Sequence, residues 1–280
     1  MKLRIASYNI HKGVFRPLGQ LRERVSIHVL RERLQQFDAD LIFLQEVQGL
    51  HAGHAARHGD WPTQPHYEYL AEDTAFHVAY GQNLVHQHGD HGNVLLSRFP
   101  ILEVENLDIS DHPLEKRGLL HCVLDLHGVA LHCVVVHFGL FAASRRRQNQ
   151  ALVERIRDHV PVGTPLLIAG DFNDWHNRLN RQLYDALEVR EVFDEYQPPG
   201  LWRSLIPQLP PAPWAARRIR PARSFPSVLP MLRMDRIYQR GFCVHKAEIL
   251  RGLPWRNLSD HLPLLTDLEL LSELLPELRL

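Results

Sequence analysis

The stretch LLIAGDFNDW, residues 166–175, passes abruptly from apolar to polar residues. Five apolar or small residues open it, and Asp171, Asn173 and Asp174 follow. A short uninterrupted apolar run predicts a strand that is buried on both faces of a sheet. The polar residues after it could form an ordinary turn, because Asp and Asn are favoured in turns and helix caps. Alternatively, the strand delivers carboxylate and amide groups into a site.

Other apolar segments of the chain end in the same way. A single polar residue after a strand is usually a turn or a cap, but its recurrence across the chain favours convergence on one site. The residues at these ends are Asn9, Glu46, His137, Asp171 with Asn173, Asp235, and the run Ser259, Asp260 and His261 just before a strand.

Composition places the chain among ordinary globular proteins. Its 280 residues are 45% apolar and 23% charged, and no stretch resembles a linker, so we expect one domain over residues 1–280. Lys and Arg total 32, as do Asp and Glu. This balance argues against a dedicated high-affinity DNA-binding protein, whose surface is usually basic.

The cysteines and the first residues of the chain bear on its compartment. Cys122, Cys133 and Cys243 form no CxxC pair, which predicts neither a disulfide framework nor a zinc site and fits a reducing cytosol. We see no signal peptide and no apolar run long enough to span a membrane, so we expect a cytoplasmic protein. Most of the 19 histidines, such as His86, His88 and His91, are expected in solvated loops, and we do not expect these three to form a metal site of their own.

Short strands alternate with a few helices. Helical spacing of apolar residues predicts helices over 22–37, 144–159 and 180–189. A Pro- and Arg-rich stretch over 197–232 predicts a long surface excursion, and the leucine-rich tail 271–280 could pack on the core or on a second chain. Strands are predicted over 3–10, 39–47, 77–81, 92–101, 117–126, 129–138, 165–172, 232–240, 245–252 and 262–270.

The polar residue types at the strand ends indicate a chemistry. Oxygen ligands such as Glu46 and Asp260 suit Mg²⁺ or Mn²⁺, and no His/Cys set with zinc spacing competes. Carboxylate, amide and imidazole groups together suit the attack of water on phosphorus.

The motifs NIHKG, LQEV, GDFN and SDH, in this order from Asn9 to His261, resemble the endonuclease/exonuclease/phosphatase superfamily. That superfamily includes DNase I, AP endonucleases, neutral sphingomyelinases, inositol-polyphosphate 5-phosphatases and deadenylases. HGNVLLSR, EKRGLL and RMDRIY resemble a bacterial subgroup without a settled substrate. The resemblance implies a DNase I-like four-layer α/β/β/α sandwich of two mixed, mainly antiparallel sheets. It also implies Mg²⁺- or Mn²⁺-dependent hydrolysis of a phosphoester, with a diester favoured.

The resemblance also implies which residues bind the metal ion. Glu46 is then the principal metal ligand, with Asn9 beside it, and Asp260 holds the metal directly or through water. Asn9 could instead cap a turn.

The remaining roles concern water and phosphate. By the resemblance, Asp171 orients or deprotonates the attacking water, and Asn173 binds a phosphate oxygen. His261 contacts phosphate, and Asp235 fixes its tautomer and favours its charged form. His137 binds phosphate or protonates the leaving group. Many members of the superfamily carry Thr just before that histidine, whereas this chain has Val136, so any hydroxyl contact there is lost.

Several of these residues have structural alternatives. Asp235 could pair with Arg236 or another arginine, and His137 could be a buried structural histidine. Arg117 could approach substrate phosphate or pair with Glu115. Asn93 is expected to be structural.

The substrate is left open between nucleic acid and anionic phospholipid. The region before RMDRIY lacks the aromatic cluster usual in AP endonucleases, which argues against abasic DNA. Arginines between Arg217 and Arg240 could form a basic rim for DNA, RNA or lipid headgroups, with the tail and the 197–232 stretch making peripheral membrane contact. The alternatives are a phosphomonoesterase acting on a sugar or inositol phosphate, and a catalytically silent binding module.

Overall fold

Two six-stranded sheets form the centre of the computed structural model, which describes residues 1–16, 23–112, 115–196 and 222–274. The strands are β1 (Lys2–Asn9), β2 (Val14–Phe15), β3 (Arg24–Val25), β4 (Leu41–His51), β5 (His77–His86), β6 (Gly89–Ser97), β7 (Ile101–Asp108), β8 (Gly118–Leu126), β9 (Val129–His137), β10 (Leu166–Asp171), β11 (Arg190–Glu191), β12 (Asp235–Arg240), β13 (Phe242–Ile249) and β14 (Leu264–Leu270). The helices are α1 (Ile27–Gln35), α2 (Ala52–Ala55), α3 (His66–Ala71), α4 (Ala142–His159), α5 (Leu179–Leu187) and α6 (Val192–Glu195).

Both sheets are mixed and mainly antiparallel. The first has the order β13-β14-β1-β4-β6-β5 and the second the order β11-β12-β10-β9-β8-β7. Each contains one parallel pair within the described residues, β1 with β4 and β9 with β10. The predicted sheet composition is therefore confirmed.

The central strands, such as β4, β9 and β10, are buried on both faces, which explains their continuous apolar runs. Along β4, Leu41 and Phe43 enter the cluster between the two sheets, while Ile42 and Leu44 enter a cluster that also holds Leu30 of α1. This alternation follows from the two-residue period of a strand.

The second sheet is covered in the same way by α4 and α5. Leu152 of α4 and Leu183 of α5 pack with Val134 and Ile168, which lie on the face of the sheet turned away from the first sheet. Helix, sheet, sheet and helix thus form the four predicted layers.

A buried amide links the two sheets. Nδ2 of Asn93, on β6 of the first sheet, donates to the carbonyl oxygens of Gly118 (3.0 Å) and Val135 (3.3 Å), which belong to the second sheet. Asn93 is fully buried, so these bonds lie in the interior between the layers. The expectation that Asn93 is structural agrees with these contacts.

One predicted helix boundary is wrong, and one strand of the second sheet was missed. The helix expected over 22–37 begins at Ile27, because Arg24–Val25 pairs with Val14–Phe15 in a short hairpin. Strand β7 was not predicted, because it lies at the edge of the second sheet and is mostly exposed, so it lacks a clear alternation of apolar and polar residues.

The predicted 197–232 excursion falls on the described residues only in its last part. Within 222–232, Ala222, Ser224 and Ser227 are buried, whereas Leu229 and Met231 are exposed, so this part is a surface segment only in places. In the tail, Leu274 packs against the core cluster between the sheets, and residues 275–280 lie outside the described residues. None of the helices in the described ranges has the length and apolar character needed to cross a membrane.

Candidate active site

Strands from both sheets bring the predicted residues to one end of the sandwich. Asp171, at the end of β10, lies in register beside His137 of β9 and Asp235 of β12. Asn9, at the end of β1, belongs to the other sheet, and its Nδ2 lies 3.3 Å from Oδ2 of Asp171. Four strand ends therefore meet, as their shared polar endings predict.

Two residues of this site, Glu46 and Asn173, have backbone conformations with positive φ. Glu46 has φ 54° at an irregularity in the pairing of β4 with β6, and Asn173 has φ 50° just after β10. Positive φ is uncommon for residues other than Gly, and such conformations often occur at functional sites. The irregularity lets Glu46 depart from the regular alternation of its strand.

His261 lies between two buried carboxylates. Its Nδ1 is 2.8 Å from Oδ2 of Asp235, and its Nε2 is 3.7 Å from Oδ2 of Asp171. Burial opposes the charged form, but the attraction of Asp235 and Asp171 outweighs it and raises the pKa of His261 to about 10. His261 is therefore an imidazolium at neutral pH.

Asp171 is almost completely buried at the centre of the site. Burial raises the pKa of its carboxyl group to about 7, although the His261 cation works in the opposite direction. Oδ1 of Asp171 accepts the backbone N–H of Asn173 at 2.9 Å, which fixes the carboxyl group in place. A carboxylate with a pKa near the working pH is suited to general base chemistry.

Asn173 and His137 complete the buried part of the site. Nδ2 of Asn173 donates to the carbonyl oxygen of Phe138 at 2.9 Å. Nε2 of His137 lies 3.7 Å from Oδ2 of Asp171 and 4.0 Å from Oε1 of Glu46. Burial lowers the pKa of His137 well below its ordinary value, so the ring is neutral at pH 7. A neutral ring favours the predicted phosphate contact over the predicted protonation of a leaving group.

The groups predicted to hold a metal fit that role unequally. The contacts to the Glu46 carboxylate from Asn9, Lys12, His11 and His137 span 3.4 to 4.0 Å, which leaves its oxygens free of close partners among the described residues. Oxygen atoms in such a position suit Mg²⁺ or Mn²⁺.

Asn9 and Asp260 have competing contacts. Asn9 presents Nδ2 to the carboxylates, while its Oδ1 accepts the backbone N–H of His11 at 3.1 Å, so its amide would have to rotate to offer oxygen to a metal. The turn that was an alternative for Asn9 is thus present. Asp260 lies 3.2 Å from Nδ1 of His11. Burial raises the pKa of Asp260, but the hydrogen bond from His11 and the charge of His261 outweigh this and lower it.

Arg117 is engaged in an ion pair. Its Nη2 lies 3.1 Å from Oε1 of Glu115, which also accepts the backbone N–H of Leu140. The positive charge of Arg117 contributes to the lowered pKa of His137, so it acts on the site electrostatically. The contacts match the alternative expectation of a pair with Glu115.

Several residues of the site were not assigned roles from the sequence. His11 and Lys12 approach Glu46, and their place inside the motif NIHKG was a usable signal. Ser224 donates from Oγ to Oδ2 of Asp235, and Ser259 donates from Oγ to the carbonyl oxygen of Asn9 at 2.7 Å. No local pattern distinguishes Ser224 from other serines, because its partner lies 11 residues further along the chain.

This fold and this arrangement of strand-end residues define a class of protein. The sequence profile of the Endonuclease/Exonuclease/phosphatase family matches residues 6–261, and the chain belongs to that family. The predicted family is therefore confirmed. The uncharacterized protein YbhP of Escherichia coli K12 is 37% identical over 269 residues, which cover 95% of this chain and 96% of YbhP.

Solved structures share the fold at lower sequence identity. A family member from Beutenbergia cavernae superposes with a TM-score of 0.69 and 21% identity, over 96% of this chain and 72% of that one. TDP2 of D. rerio, complexed with a single-strand DNA product, has a TM-score of 0.62 and 18% identity, over 96% of this chain and 99% of that one. At these identities the comparison supports the fold.

Proposed function

We propose that this protein hydrolyses phosphodiesters with Mg²⁺ or Mn²⁺ as cofactor. The observation that carries the proposal is the arrangement of His261 between Asp235 and Asp171, with distances of 2.8 and 3.7 Å. It places a fixed cation beside a carboxylate whose pKa of about 7 suits proton abstraction. As water attacks phosphorus and the bond from phosphorus to the leaving alcohol breaks, the carboxylate takes up the proton of the water and the cation offsets the developing negative charge.

The contacts of the buried residues support a role for each of them in the hydrolysis. Asp171 orients water at its Oδ2 and takes up a proton, while Asn173 holds its Oδ1 through the backbone. His261 donates from Nε2 to a phosphate oxygen and balances the negative charge that develops there. Asp235 is a positioning residue that keeps Nδ1 of His261 protonated.

The part of the site around Glu46 is where we propose that the metal cofactor binds. Glu46 and Asp260 would hold a divalent cation, with Asn9 joining them after rotation of its amide. Neutralisation of phosphate charge and activation of water are the chemistry that Mg²⁺ or Mn²⁺ supplies when bound.

The substrate proposed is a nucleic acid or an anionic phospholipid. His11 and Lys12 stand beside Glu46 with 38% and 40% of their side chains exposed, so they can meet a polyanion at the mouth of the site. Nucleic acid is the first substrate class to test, because TDP2 of D. rerio, which shares this fold, was solved in complex with a single-strand DNA product.

The experiment measures hydrolysis of bis-p-nitrophenyl phosphate and p-nitrophenyl phosphate with Mg²⁺, Mn²⁺ or EDTA. We expect metal-dependent cleavage of the diester and a loss of at least about 10²-fold in kcat for Asp171→Asn. Asp174→Asn is the matched control, because Oδ2 of Asp174 accepts the backbone N–H of Leu179 at the start of α5 and the Asn amide retains that acceptor. Cleavage of an oligonucleotide against cleavage of anionic vesicles then separates the two substrate classes.

Other outcomes would overturn the proposal. Equal activity of Asp171→Asn and wild type would remove the assigned base. Cleavage of the monoester alone would replace the diesterase with a phosphomonoesterase. Absence of turnover on all these substrates, together with absence of Mn²⁺ binding, would point to a silent binding module.

A further inference from the structure

A second group of potential metal ligands lies apart from the strand ends of the active site. Glu23, His54 and His58 each offer one ligand atom, and these atoms all lie within 4.8 Å of one another. His54 and His58 are one helical turn apart, as the 2.9 Å bond from the backbone N–H of His58 to the carbonyl oxygen of His54 indicates. Glu23 comes from a separate segment, just before β3. The active-site trio of Asp171, Asp235 and His261 is the other such group within the described ranges.

The ring of His54 is held in place but incompletely satisfied. It stacks on Trp61 with a centroid distance of 4.7 Å and an interplanar angle of 16°. His54 is only 8% exposed, and its Nδ1 has no hydrogen-bond partner. Stacking explains the position of the ring but leaves this buried nitrogen without a partner.

Neighbouring histidines have other contacts. Nδ1 of His51 accepts the backbone N–H of His54 at 3.0 Å, and Nδ1 of His86 accepts the backbone N–H of His88 at 3.2 Å. These bonds occupy one nitrogen of each of those two rings, and neither residue belongs to the group of Glu23, His54 and His58.

We propose that Glu23, His54 and His58 form a second cation site, selective for a borderline divalent transition metal such as Zn²⁺. Two imidazoles and one carboxylate are a frequent zinc ligand set, and water would complete tetrahedral coordination. The bound metal ties the segment before α1 to the segment that follows β4. Mg²⁺ prefers oxygen ligands and does not compete for two imidazoles.

The test is Zn²⁺ binding by the full-length, tag-free chain in excess Mg²⁺, which competes with Zn²⁺ for the oxygen ligands proposed for the active-site cation. Calorimetry should give one equivalent of Zn²⁺, and the melting temperature should rise because the metal binds the folded state. Replacement by Co²⁺ should give the visible absorption of a tetrahedral complex. His58→Ala and Glu23→Gln should each weaken Zn²⁺ binding at least about tenfold. Both residues are partly exposed, so the variants should fold.

Two control variants test whether Zn²⁺ binds at the proposed site or elsewhere in the chain. His88→Ala removes an exposed histidine of the same region, and Asp171→Asn alters the active site. Both should bind Zn²⁺ as wild type does. The proposal is overturned if wild type binds no Zn²⁺, if either control loses binding as much as His58→Ala, or if His58→Ala and Glu23→Gln bind normally.

Discussion

Nδ1 of His261 lies 2.8 Å from Oδ2 of Asp235, and both side chains are buried. Nε2 of the same ring points toward Asp171, so one imidazolium is held between two acids from adjacent strands. Ser224 donates a further hydrogen bond to Oδ2 of Asp235 and helps to hold that carboxylate in place. The charge of His261 thus depends on acids from two neighbouring strands.

Replacing Asp235 tests that dependence. Asp235→Asn should lower the pKa of His261 from about 10, because the negative charge of Asp235 is the strongest attraction that raises it. We expect kcat to fall by about 10²-fold or more and to decline further as the pH rises through neutrality. NMR titration of the His261 ring and a pH–rate profile measure the two effects. An unchanged ring pKa in the variant would contradict the role given to Asp235.

Burial of Asp171 predicts a pH-dependent stability in EDTA. Its pKa rises from 3.8 to about 7 on folding, so the folded chain retains a proton that the unfolded chain has lost, and stability falls as the pH rises through that window. Asp171→Asn lacks this loss. Relative to wild type, the free energy of unfolding of this variant should therefore rise between pH 4 and pH 7, by about 3 kcal/mol. Urea unfolding at several pH values measures this, and parallel curves for the two proteins would refute it.

Glu46 should dominate affinity for the catalytic cation. Glu46→Gln is expected to weaken Mn²⁺ binding at least about tenfold, because it removes a charged oxygen ligand. Glu103→Gln, an exposed change on β7, is the control and should bind as wild type. Electron paramagnetic resonance of Mn²⁺ gives the affinity. Equal binding by both variants would exclude Glu46 as a ligand.

The amide that joins the sheets should contribute to stability. Asn93→Ala leaves the buried carbonyls of Gly118 and Val135 without their donor, which costs about 1–3 kcal/mol. Asn106→Ala removes a more exposed bond to the carbonyl oxygen of Gln82 and should cost less. Denaturant unfolding compares the two variants, and a larger loss for Asn106→Ala would contradict the argument.

Much of this site could be predicted from local sequence. Continuous apolar runs report burial on both faces of a sheet, and β4 and β10 satisfy that pattern. Asp171, at the end of β10, does lie beside His261, and His137 links it to Glu46. The strand expected to end just after Glu46 instead continues to His51, so Glu46 lies at an irregularity within β4. Edge strand β7 was not predicted, because its residues are mostly exposed and show no clear alternation of apolar and polar types. The start of α1 was misplaced, because the residues of β3 alone do not reveal that this segment pairs with β2.

The sequence by itself determined which segments are buried and which kinds of chemical group they carry, because apolar runs and residue types can be read from each short segment alone. Tertiary structure alone decided that Asn9 and Asp171, 162 residues apart, lie 3.3 Å from each other. It also decided that His137 is neutral, because burial and the charges of Arg117 and His261 lower the pKa of its ring. Strand register and sheet packing set such distances, and desolvation with neighbouring charges sets such pKa values. Both depend on residues remote in the chain.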